Sequence, residues 1–361
     1  MFRHTATRIL TALVATATLW GCDSAIYDGE GDCSVTYRVK LTHTKNIKNV
    51  DAFPTEVTHV ALYAFDPSGR IAWSTTKTAE ELRATDNYIT LDVDPGRYDL
   101  VAWCGGTSRE ADAAGWTLAG GDNPVEKADL LCTLATTPAA TAGHAVSDKD
   151  IHRLYHGALS DVEMPEGYGK TYDYTIDLTK DTNFVRVILQ HADGEPVNPE
   201  WFTFTITDTN SALDHTNSLA SPTVVTYRPW AITTAATELP DPDNVAGRAC
   251  AETASRSRAI TSVSSVIADM TTSRLVTSSR PVIEISCTEP GNEHLVARLD
   301  LISYFLMIKG SANRHLSDQD FLDCQDDYSM MLILDDNNRW NLSLGLYINS
   351  WRIVKQDVTI Q

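Results

Sequence analysis

The side chains best suited to chemistry are scattered, and no group of them forms a working constellation. His152 and His156 stand four apart in H-R-L-Y-H. On a helix that spacing would put both imidazoles on one face, as zinc sites require. Arg153 occupies the place where the general-base glutamate of H-E-x-x-H would stand, so the pair reads against a catalytic metal. Gly167-Tyr168-Gly169-Lys170 lacks the spacing of a phosphate-binding loop, and no G-x-S-x-G nucleophile elbow occurs. Asp335-Asp336-Asn337-Asn338 offers the oxygens that calcium takes. Without EF-hand spacing it reads as a polar hairpin tip. Trp73, Trp103, Trp116, Trp201, Trp230, Trp340 and Trp351 could stack on sugars. Most sit inside strand patterns and read instead as core and sheet-packing residues. The expectation is a protein that is not an enzyme, with no cofactor, no metal and no small-molecule substrate.

Cysteine is the exception. The chain opens with Arg3 and Arg8, runs through mostly apolar residues from Ile9 to Trp20 and reaches Leu19-Trp20-Gly21-Cys22. About a dozen apolar residues suit the h-region of an export signal and fall short of the ~20 that a membrane-spanning helix needs. The tetrapeptide resembles a bacterial lipobox. That resemblance implies cleavage between Gly21 and Cys22 and acyl chains, palmitate among them, on Cys22. Two acyl chains hold a protein on a membrane stably where one does so only marginally. The other cysteines are Cys33, Cys104, Cys132, Cys250, Cys287 and Cys324. An exported chain permits disulfides. Cys33 with Cys104 is the best-placed pair, because both fall at ends of predicted strands in one domain. Buried free thiols are the alternative. No C-x-x-C occurs, so no structural zinc site is expected.

The chain of 361 residues carries a formal net charge of −19. Losing Arg3 and Arg8 with the leader makes the mature chain two units more negative. So acidic a chain repels nucleic acid and anionic headgroups. Its membrane link must therefore come from lipid. A hydrophobic content of 43% fits a globular protein long enough for two domains.

The elements that would hold these residues read as strands. Val35, Tyr37, Val39 and Leu41 alternate with polar residues, the period of a half-buried strand. Residues 57–65 and 70–75 flank Asp66-Pro67-Ser68-Gly69, a turn in which proline presets φ and glycine takes the last place. Residues 79–84 allow a helical turn or two. Residues 88–93 and 98–103 flank Asp94-Pro95-Gly96. Residues 105–150 are rich in Ala, Gly, Thr and Asp and read as loop with a short helix or two. Strands are expected at 172–178, 184–190, 202–206, 275–287, 295–308 and 330–334, then a hairpin to 340–347. Ser317 with Asp320 makes an acidic capping box that opens a helix over 317–328. Ile348 to Ile360 reads as a final strand. Short strands with turns at such intervals make an all-β protein of sandwich type with a few short helices. The expected division is a signal peptide at 1–21, an acidic tether at 22–33, and sandwiches at 34–180 and 181–361.

Several motifs resemble, in order, the fimbrial anchor family of Bacteroidota, the FimB/Mfa-type lipoproteins of type V pili. They are V-A-L-Y-A-F-D-P-S-G at 60–69, D-P-G-R-Y-D-L-V-A-W-C-G at 94–105 and H-R-L-Y-H-G at 152–157. T-I-D-L-T-K-D-T-N-F-V-R-V at 175–187, D-F-L-D-C-Q-D-D-Y at 320–328 and Y-I-N-S-W-R-I-V at 347–354 complete the set. The tether D-S-A-I-Y-D-G-E-G-D-C is similar to the surface-export signal of such lipoproteins. The resemblance implies two tandem transthyretin-like sandwiches held to the outer membrane through Cys22. It also implies a place at the fimbrium base, where the protein anchors the shaft subunit and limits its length. Shaft joints of this family form by β-strand addition. The strand beginning at Val35 is expected to stay in place. The C-terminal strand, with Ile348, Trp351, Ile353, Val358 and Ile360, is the candidate donor, unless it is an internal member of the second sandwich. The competing expectation is a surface lipoprotein or tip adhesin that binds host or glycan ligands.

Overall fold

A computed structural model describes residues 34–119, 126–238 and 262–353. The leader, Cys22, Cys33, Val358 and Ile360 lie outside the described residues. The chain begins with β1 (Thr36–Thr42), α1 (Phe53–Glu56), β2 (Val57–Phe65), β3 (Ile71–Thr78), α2 (Ala79–Arg83), β4 (Tyr88–Leu91) and β5 (Gly96–Gly106). The stretch read as loop instead carries four short strands: β6 (Trp116–Leu118), β7 (Leu131–Leu134), β8 (Thr137–Pro138) and β9 (His144–Ser147). Then come β10 (Leu154–Met164), β11 (Thr171–Asp177) and β12 (Thr179–Lys180).

The first sandwich faces a three-stranded sheet, β11-β1-β4, against a five-stranded one, β12-β10-β5-β2-β3. The period-two pattern explains its core. Tyr37, Val39 and Leu41 of β1 point inward and meet Val60 and Leu62 of β2 and Leu100 and Ala102 of β5. The turn after β2 closes as its residues dictate. Asp66 Oδ1 accepts the N–H groups of Ser68 and Arg70 at 2.8 and 3.0 Å, and Gly69 takes φ +82°. The helix expected near 79–84 is α2, opened by a capping box between Thr78 and Glu81.

The second sandwich comprises β13 (Thr182–His191), β14 (Phe202–Asp208), β15 (Ala212–Asp214), β16 (Val224–Tyr227), β17 (Ala231–Glu238), β18 (Ser262–Ser273), β19 (Val282–Cys287), β20 (His294–Asp300), α3 (Leu301–Leu306), α4 (Asp318–Cys324), β21 (Asp327–Leu334), β22 (Leu346–Ile348) and β23 (Trp351–Ile353). One sheet is ordered β17-β18-β13-β21-β22-β23 and the other β20-β19-β14-β16-β9-β8. Strands β8 and β9 thus come from before residue 180. So do Ala114, Leu134, Ala145 and Ile151 of the second core. A third small sheet, β15-β7-β6, also joins the two halves and covers the outer face of the five-stranded sheet through Tyr63, Phe65 and Leu213. A cut at 180 separates β12 from β13, but the 114–151 stretch is shared across it.

Three further expectations are corrected. The strand expected over 275–287 begins only at Val282. The strand expected over 295–308 stops at Asp300, whose carboxylate accepts the Ser303 N–H at 3.1 Å and caps α3. The helix from Ser317 ends at Cys324, and Asp327 to Tyr328 already belong to β21.

Candidate functional site

Three places could carry an anchoring function: the two ends of the described chain and the joint between the sandwiches. At the first end, β1 lies between two neighbours, parallel to β11 and antiparallel to β4. Thr36 N–H donates to Lys170 O at 2.8 Å, and the Tyr37 hydroxyl donates to Pro165 O at 2.7 Å. The strand beginning beside Val35 is therefore an internal part of the fold.

The other end differs. The continuous strand expected from Ile348 is broken. Asn349 and Ser350 take φ of 47° and 68°, a left-handed pair that folds β23 back on β22. Asn349 fastens this turn to β21. Its Oδ1 accepts the Ser329 N–H at 2.7 Å, and its Nδ2 donates to Asp327 O at 3.1 Å. Ile348 ends β22 and is fully buried. Trp351 and Ile353 belong to β23, which among the described residues has β22 as its one partner and lies at the edge of its sheet. An edge strand leaves a row of backbone N–H and C=O groups open to another chain.

The registers give both ends a direction. In the first sandwich Thr36 lies opposite Thr171, and Thr42 opposite Asp177. The Thr42 end leads to the joint, where Leu178 N–H donates to Thr42 O and Asp181 N–H to Leu154 O, each at 2.8 Å. Thr36 is therefore at the end away from the joint. In the second sandwich β13 and β21 run parallel, from Phe184 opposite Asp327 to His191 opposite Leu334. β22 is antiparallel to β21 and β23 antiparallel to β22, so β23 also runs away from the joint.

The joint itself is charged. Lys180 Nζ lies 3.0 Å from Glu56 and 2.5 Å from Asp326. Burial opposes the charge of Glu56, but Lys180 and the Tyr155 hydroxyl outweigh it and hold that carboxyl below its usual range. Arg109 stacks 3.5 Å over the Phe184 ring and reaches Asp327 at 3.3 Å. Asp181, the one residue between β12 and β13, is fully buried, and burial pushes its carboxyl up to about 7 against the pull of Arg274 and Asn217. Arg274 grips Asp323 at 2.9 and 2.6 Å.

The remaining sequence candidates hold the fold. His156 is buried on β10, with Nε2 3.0 Å from His215 O. Among the described residues no group of three His, Cys, Asp or Glu is placed for a metal. Asp335 Oδ1 accepts the N–H groups of Asn337 and Arg339, each at 2.9 Å, and closes its own hairpin. Cys104, Cys132 and Cys287 are buried free thiols. Cys33, the partner considered for Cys104 above, lies outside the described residues. Burial pushes the Cys104 and Cys132 thiols far above their ordinary range. The tryptophans divide among the cores: Trp73 packs on the first, Trp201 and Trp340 on the second. Trp103 and Trp116 line a cleft of about 880 Å³ with Tyr63, His59 and His152. Composition alone gave no signal for that cleft, because it lies between the five-stranded sheet and the unforeseen β6.

Comparison with known proteins agrees with this architecture. Residues 30–357 match the family model described as Mfa2: Fimbrillin-A associated anchor proteins Mfa1 and Mfa2. Over 100 residues the chain is 28% identical to the minor fimbrium anchoring subunit Mfa2 of Porphyromonas gingivalis, covering 27% of this chain and 31% of that protein. The chain thus spans about a third of that curated relative. A crystal structure described as an adhesin of Bacteroides thetaiotaomicron superposes with a TM-score of 0.68 at 25% identity, covering 89% of this chain and 98% of that one. The crystallised fimbrial anchor protein Mfa2 of P. gingivalis shares the fold, with a TM-score of 0.58 at 17% identity over 89% of this chain and 99% of that one.

Proposed function

The chain belongs to the family of fimbrillin-A associated anchor proteins, and on that premise we propose that it is the basal subunit of a fimbrium. In this reading Cys22 carries the lipid that holds it in the outer membrane, exposed on the cell surface. The shaft subunit joins at the opposite end by β-strand addition, using the chain that follows β23. The observation that carries the reading is the polarity of the fold. The described chain starts at the end of one sandwich away from the joint, and its last strand in the other runs away from the joint, bringing Ile353 level with Leu332 and Leu189. A tether at one end and a free edge at the other suit a protein that stands between a membrane and a fibre. The internal place of β1 supports a second feature, a limit on fibre length. A subunit that cannot release its first strand opens no groove there and ends the polymer.

Deleting Asp357 to Gln361 tests the joint. Fibres should appear in the medium while the lipoprotein stays on the membrane. Fibres that remain attached would overturn the donor role of this segment. The mature N-terminus on cells separates the anchor from its rival: an anchor keeps lipidated Cys22, while a processed subunit starts tens of residues later. The rival is a surface lipoprotein or tip adhesin binding host or glycan ligands. It draws on the likeness to a structure described as an adhesin and on the cleft lined by Trp103 and Trp116.

A further inference from the structure

Asp181 joins β12 to β13 as a single residue, and its carboxyl is wholly enclosed. One of its oxygens, Oδ1, accepts from Asn217 Nδ2 at 2.8 Å. The other, Oδ2, has no hydrogen-bond partner, and neither has Oδ1 of the same Asn217. Both orphaned atoms are acceptors, and both belong to one acid–amide pair already joined on its other side. What such a pair lacks is a hydrogen.

We propose that Asp181 stands in the folded protein as the neutral acid, its Oδ2–H donating to Asn217 Oδ1, and that loss of this proton loosens the joint between the sandwiches. Acid and amide would then close a ring of two hydrogen bonds and leave no acceptor unpaired. The alternative, an ionised Asp181 paired with Arg274, is poorly served by the geometry. Arg274 Nε stands 3.7 Å from the carboxylate, while Nε and Nη2 donate to Asp323 and Nη1 donates to the Asn217 carbonyl. The arginine is already matched by Asp323, so a second carboxylate charge in this enclosed place would go largely uncompensated. The other titratable groups around Asp181 are Lys45 and the thiols of Cys104 and Cys132. His156, nearby through Arg274 and His215, is pushed down by burial to about 4 and adds no charge at neutral pH.

The sign of the pH dependence follows from the raised carboxyl. The folded state holds this proton more tightly than the unfolded chain does. The stabilisation is fully present below the usual carboxylate value of 3.8 and is lost as pH rises toward about 7. Asn at position 181 copies the neutral acid, since its amide can accept from one side of Asn217 and donate to the other. Infrared spectra of the full chain carrying Cys22→Ala, taken near neutral pH, should show a protonated-carboxyl C=O band that Asp181→Asn removes. Thermal unfolding should add a second mark. Asp181→Asn should come closest to the parent near pH 3.5 and exceed it by a margin that widens from pH 5 to pH 8.5, reaching on the order of a few degrees. A band that survives Asp181→Asn, or a variant less stable than the parent at every pH, would overturn the proposal. Should the variant fail to fold, the Asp181 carboxyl carbon in the parent's NMR spectrum decides. It should titrate near pH 7; a carbon already ionised near pH 5 contradicts the neutral acid.

Discussion

β1 and β23 are both terminal strands of the described chain, yet they are held in opposite ways. β1 has a partner on each side and buries Tyr37, Val39 and Leu41 completely or nearly so. Among the described residues β23 is three residues long, has one partner, and is reached through a left-handed turn. In a sheet the free energy of a strand comes from its two ladders and its buried face. The difference therefore separates a strand that the fold cannot release from one that presents an edge. In an anchor the first belongs beside the tether and the second beside the fibre.

The comparison breaks most easily at β1. Leu41→Asp places a charge in a fully enclosed site and should abolish folding of the first sandwich, read as loss of the cooperative transition in circular dichroism. Truncation after Ile353 should leave that transition unchanged. Equal damage from the two changes would erase the distinction. The joint comes next. Arg274→Met strands Asp323, which is nearly buried, and should cost about 3 kcal/mol in denaturant unfolding. Asn349→Ala removes two hydrogen bonds to β21 and puts a less tolerant residue at positive φ, for about 1–2 kcal/mol. Its sharper mark is hydrogen exchange, which should quicken in β22 and β23 and stay slow in β1. Asp161→Asn, which removes the exposed partner of Arg97 on the first sandwich, should leave the unfolding midpoint where it was.

The parts legible in the sequence were those whose partners lie close along the chain. Alternation marked β1, the turn at Asp66–Gly69 marked the β2–β3 hairpin, and Asp94-Pro95-Gly96 marked the start of β5. The Ser317–Asp320 box marked the start of α4, because a cap is a local contact. The stretch 105–150 was not legible for the opposite reason. Its strands are two to four residues long, and β9 finds its place by pairing in parallel with β16, some eighty residues on. Nothing in H-A-V-S carries that information. The run after Leu295 failed differently. L-V-A-R-L-D-L-I-S-Y-F-L supports either period, and only the carboxylate of Asp300, capping α3, decides where strand becomes helix. At the candidate site the sequence marked the C-terminal strand but not its break. Asn349-Ser350 is not among the strongest hairpin signals, and its side-chain hold on β21 is a tertiary contact. Asp181 carries no local mark at all, since its enclosure depends on Asn217 and Arg274.

The central claim is that this protein holds a fimbrium to the membrane through Cys22. Electron microscopy of cells carrying Cys22→Ala beside the parent strain, with medium and cell fractions compared, tests it directly. The account predicts bare cells and fibres of the shaft subunit collected in the medium. Cells that bear normal fibres would contradict it.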